Sequence, residues 1–252
     1  MGAGIAVEPR TVACFPGSRD LSHIGPVARV ASLAGLGGPP RLEYRQALPA
    51  GAGYAASGSL SVAASLAIGA SLGFSVGKSL VIAHVAEVEE LTGLGDVLAI
   101  SCGVGLVVRW KPGAPGTGVV ECFQIPPKIS ILSMEYGSLE TRRLVASMEK
   151  HKERAFESLK RLERDPGFYT FIEEARKFTL EASLLEGLGH VSREEVEKTP
   201  GLVGYYAKKR VLVAFVESQL VHDAAAYLAG LTGIRPRLLE PSRGGPEVWS
   251  LD

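Results

Sequence analysis

The segment LPAGAGYAASGSLSVAASLAIGASLG, Leu48–Gly73, carries no charged residue and joins a glycine-rich beginning to a run of small and apolar residues. Pro49 and the glycines Gly51, Gly53 and Gly58 favour a turn, because glycine adopts backbone conformations that other residues avoid. Leucine, valine and isoleucine recur among the alanines and serines of the second part at a helical spacing. The sequence therefore predicts a glycine-rich loop that leads into a helix.

A loop of this kind in front of a helix can bind an anion. Backbone N–H groups can converge on phosphate oxygens where no side chain intervenes, and the positive end of the helix dipole lies at the same place. Ser57 and Ser59, at the junction, can cap the helix or place a hydroxyl on a phosphate-bound Mg²⁺. We expect no membrane partner, because a membrane span needs about 20 mainly large apolar residues and much of this segment is Gly, Ala and Ser. A glycine turn before a core helix without a ligand stays open as an alternative.

The whole chain has the composition of a globular protein. Its 252 residues suffice for one large domain or two small ones, and 46% of them are hydrophobic. Equal numbers of acidic and basic residues, 27 each, argue against a nucleic-acid partner. The cysteines Cys14, Cys102 and Cys122 lack CxxC spacing and predict a reducing compartment with no zinc or disulfide framework. Without a signal-peptide pattern, the sequence predicts a cytoplasmic protein.

Pro126 and Pro127 mark the expected boundary between two domains, 1–125 and 126–252. In the first domain a turn and strand over Gly2–Val7 are expected to have the strand Thr11–Phe15 as neighbour. The other expected strands are Arg41–Leu48, Val97–Cys102, Leu106–Trp110 and Val119–Ile125. The expected helices are Ile24–Leu36, the run from Ser59 to Ala70, and Lys78–Leu91.

The second domain is expected to be a split βαβ, ferredoxin-like layer of an α+β protein. Its expected strands are Lys128–Met134, Arg210–Val216, Arg237–Leu239 and Glu247–Leu251. Its expected helices are Leu139–Glu163, Phe168–Leu185, Ser192–Lys198 and Gln219–Leu231.

Glu87 lies at the border of an apolar arc on the predicted helix Lys78–Leu91. The residues that share this arc are Leu80, Val81, His84, Val85, Val88 and Leu91. Glu89 and Glu90 point towards solvent instead. A partly buried carboxylate is costly without a counter-charge, and a metal ion would supply one. The alternative is a rim glutamate that pairs with a lysine.

Asp96 follows the turn Thr92-Gly-Leu-Gly and is expected at the mouth of the next strand, where its side chain can face a cleft. The alternative is ordinary turn chemistry, since aspartate is common in turns. Ser57, Glu87 and Asp96 together form the set that phosphoryl transfer needs: a hydroxyl and a carboxylate for a cation, and a carboxylate near the acceptor hydroxyl.

The loop resembles the phosphate-binding loop of the GHMP kinase superfamily, a proline followed by GLGSSAA or a close variant. Ser57 matches the serine that holds Mg²⁺ in that family, whereas Tyr54, Ala55 and Ala56 replace its leucine, second glycine and first serine. The resemblance implies that ATP is the cofactor. The residues it implies for ATP binding are Pro49, Gly51, Ala52, Gly53, Tyr54, Ala55, Ala56, Ser57 and Gly58.

The segment Ala83–Val97 resembles the helix and turn of archaeal pantoate kinases, a branch of the same superfamily. The resemblance implies that Glu87 is a metal ligand with Ser57, that Asp96 is the catalytic acid/base, and that Arg109 binds the pantoate carboxylate. For Arg109 a surface strand position is the alternative. The implied activity is the ATP- and Mg²⁺-dependent phosphorylation of pantoate to 4-phosphopantoate in coenzyme A biosynthesis.

The resemblance also implies two domains, an N-terminal one of the ribosomal protein S5 domain 2-like type and a ferredoxin-like C-terminal one. The family's first strand and glycine-rich loop have no counterpart before Gly2, so a weakly active or inactive chain stays open as an alternative. In place of the family's third glycine motif stand Lys208, Lys209 and Arg210, which either meet phosphate or only flank a strand. Mevalonate, homoserine or shikimate as acceptor, an inactive remnant of the fold, and a homodimer all stay open.

Overall fold

The computed structural model describes residues 1–93, 95–139, 148–189 and 191–250. The chain divides into two compact units. The first comprises Met1–Ala50, Tyr54–Cys122 and Ser242–Asp252, and the second comprises Gly51–Gly53 and Phe123–Pro241. The predicted domains differ from these units in three segments, because they assign 51–53 and 123–125 to the first domain and 242–252 to the second.

The first unit combines short strands with helices. Its strands are β1 (Gly2–Ile5), β2 (Val7–Glu8), β3 (Val12–Asp20), β4 (Arg41–Arg45), β5 (Leu106–Lys111) and β6 (Val119–Phe123). Its helices are α1 (Gly25–Ala34), α2 (Ala56–Ser71), α3 (Val76–Glu89) and α4 (Asp96–Cys102). One sheet has the order β1-β5-β6, and a separate antiparallel pair joins β3 and β4.

Small residues let α2 and α3 approach each other closely. The Ser65 hydroxyl donates a hydrogen bond to the Ser79 carbonyl oxygen at 2.7 Å. A Cβ added at Gly69 would overlap the Ser79 hydroxyl, so only glycine fits there. Ala83 and Ala86 are fully buried on the facing side of α3. The two helices therefore pack with little side-chain volume between them.

The second unit is an antiparallel sheet with helices. Its strands are β7 (Ile129–Glu135), β8 (Leu202–Lys208), β9 (Val211–Glu217) and β10 (Arg237–Pro241). Its helices are α5 (Lys152–Arg164), α6 (Phe168–Glu181), α7 (Arg193–Val196) and α8 (Val221–Thr232). The strand order β10-β7-β9-β8, with helices between β7 and β8 and between β9 and β10, is that of a ferredoxin-like layer. The predicted α+β fold is confirmed.

A cluster of charged side chains joins α5 to α6 around Glu174, which is only 5% exposed. Burial alone would raise the pKa of Glu174, but hydrogen bonds from Lys177, Ser158, Arg161 and Arg154 outweigh burial and hold that pKa below its usual range. Because these partners stabilise the ionised carboxylate, the group contributes to stability at neutral pH. We refer to these five residues as the Glu174 cluster.

The strand predicted over Val97–Cys102 is wrong, because this segment is the helix α4. A short apolar run does not distinguish a buried strand from a buried helix. Gly95 precedes the helix, and Gly103, with φ 60°, ends it in the left-handed conformation typical of a helix C-terminus. Asp96 therefore lies in the first turn of a helix and not at the mouth of a strand.

Three strand predictions also differ from the structure. β3 pairs with β4, and β1 pairs with β5, so the first two strands are not neighbours. The segment 202–208, for which no strand was predicted, forms β8, although its valine and tyrosines favour one. Residues 247–250 form no strand, and Leu251 lies outside the described residues.

The helix predictions agree with the structure apart from their bounds. Of the helix predicted over Leu139–Glu163, residues 140–147 lie outside the described residues, and the rest contains the 3-10 turn Glu149–His151 and α5. Within the described ranges, no helix has both the length and the apolar content that a bilayer span requires.

Cys102 and Cys122 form a disulfide, with their Cα atoms 6.4 Å apart. The prediction of a chain without disulfides is therefore wrong. Cys102 ends α4 and Cys122 lies on β6, so the two meet only through the tertiary fold, which cysteine spacing cannot show. Cys14 is a free cysteine.

Candidate active site

Helix α2 begins at Ala56, directly after a residue in the left-handed conformation. Ala55 has φ 54° and ψ 35°, and no side chain caps the helix. The first N–H groups of an α-helix have no partner within it, and the positive end of the helix dipole lies beside them. The start of α2, with Tyr54–Gly58, therefore has the chemistry of an anion site.

Side chains from outside α2 hold its first turn in place. The amide nitrogen of Gln46 donates to the Ala56 carbonyl oxygen at 2.5 Å and to the Ser59 hydroxyl oxygen at 3.3 Å. The Ser59 and Thr11 hydroxyl oxygens are 2.9 Å apart. Ser59 is thus engaged with structural partners, whereas Ser57 lies on the other side of the turn.

The beginning of the predicted phosphate loop, Gly51–Gly53, belongs to the second unit. The Ala52 carbonyl oxygen accepts a hydrogen bond from the Arg210 backbone N–H at 3.0 Å. Gly53, with φ 139°, leaves only 2.8 Å between an added Cβ and the Lys208 carbonyl oxygen, so a side chain does not fit. Lys208 ends β8, and Arg210 directly precedes β9, with its guanidinium in contact with the Gly187 carbonyl oxygen. Both residues therefore flank strands, and they contact the loop through their backbone atoms.

Glu87 is fully buried, with 0% exposure, in the face of α3 that packs on α2. Its Oε1 accepts hydrogen bonds from the Ser57 hydroxyl at 2.7 Å and the Ser61 hydroxyl at 2.6 Å. Its Oε2 is also buried, and among the described residues it has no hydrogen-bond partner. A buried carboxylate oxygen without a partner is costly, and a cation would offset that cost.

Burial dominates the electrostatics of this carboxylate. Burial raises the pKa of Glu87, and hydrogen bonds from Ser61 and Ser57 counteract only part of that rise. The Asp96 charge raises the Glu87 pKa further. An adjacent cation would favour the ionised form and lower this pKa again.

The predicted apolar arc of α3 is wrong in part. Val81 is 38% exposed and Leu91 is 52% exposed, whereas the small residues Ala83 and Ala86 are buried. Helix α3 packs so closely on α2 that only small side chains fit between them. The small residues therefore mark the buried face, and this face differs from the predicted one. Glu87 consequently lies within the buried face and not at its border.

Asp96 lies beside Glu87 and the start of α2. A Cβ added at Gly93 would lie 2.5 Å from Glu87 Oε2 and 3.6 Å from Asp96 Oδ2. A Cβ added at Gly58 would lie 3.1 Å from the Asp96 Cβ. The two glycines thus leave room for two carboxylates next to Ser57. The structure brings together the hydroxyl and both acidic residues that the sequence singled out.

Arg109 lies on β5, opposite Gly2 of β1, and is half-buried. A side chain at Gly2 or Gly95 would overlap its guanidinium, so these two glycines make room for the cation. Burial lowers the pKa of Arg109, and the Asp96 carboxylate acts in the opposite direction. Arg109 is therefore not the exposed strand residue of the alternative interpretation. Its charge interacts with that of Asp96, which the sequence also singled out as a site residue.

Comparison with known proteins identifies a protein of similar sequence and solved structures of similar fold. No family model matches the chain. The pantoate kinase of Thermococcus kodakarensis is 31% identical over 188 residues, which cover 69% of this chain and 61% of that protein. A solved structure described as a phosphotransferase related to the CoA biosynthesis pathway has a TM-score of 0.76 at 23% identity, covering 97% of this chain and 84% of its own. The chain is a homologue of pantoate kinase.

The GHMP kinase fold is also evident in a second solved structure. L. major mevalonate kinase, in complex with R-mevalonate, has a TM-score of 0.64 at 16% identity and covers 95% of this chain and 89% of its own. At such identities the likeness concerns the fold. The chain spans less than two thirds of the length of the T. kodakarensis pantoate kinase that it matches.

In this pantoate kinase homologue, one residue of the GHMP-like loop has a backbone conformation that suits glycine. Ala55 occupies the position of the motif's second glycine, and it adopts the left-handed conformation that favours glycine. The backbone at this position therefore has a conformation that suits glycine, although the residue is alanine.

Ser61 and Gly93 are site residues that the sequence interpretation missed. Ser61 lies four positions, about one helical turn, after Ser57, so helical periodicity alone could have placed both hydroxyls on one face. Gly93 was assigned only to a turn, and its packing against Glu87 depends on the tertiary fold.

Proposed function

We propose that this protein is an ATP- and Mg²⁺-dependent kinase that phosphorylates a hydroxyl of pantoate, giving 4-phosphopantoate. The observation that carries the proposal is the convergence of Ser57, Glu87 and Asp96 at the start of α2. The relationship to a pantoate kinase supports pantoate as the acceptor.

In this proposal, residues 49–58 bind the triphosphate of ATP. The assigned residues are Pro49, Gly51, Ala52, Gly53, Tyr54, Ala55, Ala56, Ser57 and Gly58. Their support is the uncapped start of α2 and the positions at which only glycine fits the backbone. The backbone N–H groups of this loop are neutral donors and would bind the phosphate oxygens without a charged side chain.

Ser57 and Glu87 fit a magnesium ion. Mg²⁺ prefers oxygen ligands and is usually held by one or two carboxylates together with substrate phosphates. Glu87 offers the buried Oε2, to which no described residue donates a hydrogen bond, and Ser57 offers a hydroxyl oxygen 2.7 Å from the other carboxylate oxygen, Oε1. Among the described residues no three side chains of His, Cys, Asp or Glu cluster as a metal site. In this proposal, phosphate oxygens of ATP are the further ligands of the ion. When bound, the ion neutralises charge on the transferred phosphoryl group.

Asp96 is assigned to the acceptor hydroxyl and Arg109 to the acceptor carboxylate. The hydroxyl oxygen forms a bond to the γ-phosphorus, the bond between that phosphorus and the β–γ bridging oxygen breaks, and ADP leaves. The carboxylate of Asp96 orients the hydroxyl and accepts its proton. Arg109 can bind a carboxylate through two parallel hydrogen bonds, which would orient the acceptor in front of Asp96.

The test is an assay of ADP release with pantoate, R-mevalonate, homoserine and shikimate in parallel. We expect turnover with pantoate and a loss of at least about 10²-fold in Asp96→Ala, the usual contribution of a positioned base. Nucleotide affinity should stay nearly unchanged in that variant. Asp223→Ala, at an exposed position of α8 in the other unit, is the control and should retain parental turnover.

Three outcomes would contradict the proposal in different ways. Full activity of Asp96→Ala would remove this carboxylate from the mechanism. Failure to bind ATP with Mg²⁺, measured by calorimetry, would identify the protein as an inactive remnant of the kinase fold. Turnover with another acceptor would leave the kinase chemistry in place and change only the substrate.

A further inference from the structure

Two hydroxyls on successive turns of α2 donate to the same oxygen of Glu87. The distances to Oε1 are 2.7 Å from the Ser57 hydroxyl and 2.6 Å from the Ser61 hydroxyl. Their surroundings differ, because Ser57 is half-buried and Ser61 is completely buried, with 0% exposure. Only the outer serine is in a position to meet a ligand.

The inner hydroxyl determines which carboxylate oxygen stays available. A carboxylate that accepts hydrogen bonds at one oxygen is held against rotation about its terminal bond, and its other oxygen keeps a fixed direction. In Glu87 the bonded oxygen is Oε1, whereas Oε2 is buried and accepts no hydrogen bond from the part of the chain that the structure describes. The Ser61 hydroxyl, enclosed in the core, has no access to a nucleotide and so stays with Glu87 when Ser57 engages a ligand.

We infer that Ser61 is a positioning residue, which holds the Glu87 carboxylate so that Oε2 is directed at the cation. The inference rests on the proposed function, because it concerns the same cation. Groups that hydrogen-bond to metal ligands typically contribute about 10- to 100-fold to metal affinity. A serine that only satisfied itself within the core would have no such effect.

Ser65 provides the matched control on the same helix. It lies one turn further along α2, is 2% exposed, and donates one hydrogen bond of 2.7 Å. Its acceptor is the Ser79 carbonyl oxygen and not a carboxylate. Ser61→Ala and Ser65→Ala therefore remove equivalent hydroxyls from one helix, and only the first removes a hydrogen bond to Glu87.

The experiment measures how much Mg²⁺ strengthens nucleotide binding. Calorimetry on the full chain gives the affinity for the non-hydrolysable ATP analogue AMPPCP with and without Mg²⁺, and the ratio of the two is compared between variants. Because both affinities come from the same variant, a general loosening of the fold cancels in the ratio. Thermal unfolding of the metal-free proteins provides the structural readout.

We expect the ratio to fall by about 10-fold or more in Ser61→Ala and to stay at the parental value in Ser65→Ala. Both variants should lower the unfolding midpoint to a similar extent. Ser61→Cys, which keeps the shape with a much weaker donor, should also lower the ratio and serves if the alanine variant does not fold.

A parental ratio in Ser61→Ala or Ser61→Cys, together with a lowered unfolding midpoint, would overturn the inference and leave the kinase proposal intact. Equal losses of the ratio in the Ser61 and Ser65 variants would overturn it as well. If Mg²⁺ does not strengthen AMPPCP binding in the parent protein, the proposed function fails together with the inference.

Discussion

Ala55 adopts a left-handed conformation directly before α2, and replacing it by glycine should stabilise the protein. At φ 54° and ψ 35° the Cβ of an L-residue is crowded against the following carbonyl oxygen. Glycine has no Cβ and adopts this conformation without that cost. The Ala55 carbonyl oxygen accepts a hydrogen bond from the Ser59 N–H at 3.0 Å, and the substitution leaves this bond in place.

The size of the effect follows from two opposing contributions. The left-handed conformation costs a residue with a Cβ about 1–2 kcal/mol relative to glycine. Glycine in turn makes the unfolded chain more flexible, which lowers stability by about 0.4–1 kcal/mol. The difference predicts that Ala55→Gly raises the free energy of unfolding by about 1 kcal/mol, or the unfolding midpoint by about 2–4 °C for a chain of this size.

Ser183 offers a control for this prediction away from the candidate site. It has φ 52° and lies exposed in the turn after α6, so Ser183→Gly relieves the same crowding without touching the loop. Thermal unfolding should give similar increases for both variants. Calorimetry with ATP and Mg²⁺ should detect unchanged affinity in Ser183→Gly and no loss in Ala55→Gly. A lower midpoint for Ala55→Gly beside a higher one for Ser183→Gly would refute the reasoning about this loop.

Three other substitutions test the charges and packing of the two units. Glu87→Gln should stabilise the metal-free protein at about pH 7 but not at about pH 4, because burial raises the pKa of Glu87 in the folded state. Each unit by which folding raises this pKa costs about 1.4 kcal/mol of stability once the pH exceeds the pKa of both states. Urea unfolding at both pH values measures the difference, and a stabilisation independent of pH would contradict the prediction. Gly93→Ala should cost about 1–3 kcal/mol, since its Cβ would lie 2.5 Å from Glu87 Oε2; an unchanged unfolding midpoint would disprove this close packing. Glu174→Gln should cost about 2 kcal/mol of stability at neutral pH. The difference from the parent protein should vanish as the pH falls through the lowered Glu174 pKa, because the parent carboxylate is then neutral like the glutamine. A constant difference in urea midpoints down to acid pH would exclude the Glu174 cluster as its source.

Local sequence patterns were sufficient for the two helices that carry Ser57 and Glu87, but not for α4, which carries Asp96. The helix predicted over residues 59–70 is observed as Ala56–Ser71, and the one predicted over Lys78–Leu91 is observed as Val76–Glu89. Both have local causes: the first follows a glycine-rich turn, and the Ser75 hydroxyl caps the second by accepting a hydrogen bond from the Lys78 N–H at 3.2 Å. The expectation that Ser57, Glu87 and Asp96 lie together came from the set of groups that phosphoryl transfer needs and from the resemblance to the kinase motifs, because order along the chain alone does not bring residues together.

Features that depend on distant parts of the chain could not be predicted in the same way. The pairing of β1 with β5, in which Gly2 lies opposite Arg109, joins residues more than a hundred positions apart. The run Val97–Cys102 is apolar enough for a strand or a helix, and only its packing inside the first unit decides for a helix. The burial of Glu87 was underestimated because large side chains were taken to mark the inner face of α3, whereas Ala83 and Ala86 mark it.

The uncharged segment that predicts a phosphate loop has a second role in packing, and the two roles depend on each other. Gly69 and Ser65, late in α2, allow α3 to approach so closely that the Ser79 hydroxyl occupies the space of a missing side chain. At that separation Glu87, two turns further along α3, reaches hydroxyls on the first two turns of α2 at 2.6–2.7 Å. Larger residues in α2 would separate the helices and with them the carboxylate from Ser57. Small residues throughout this segment are thus required both for a backbone that phosphate can approach and for a buried carboxylate at the right distance from it.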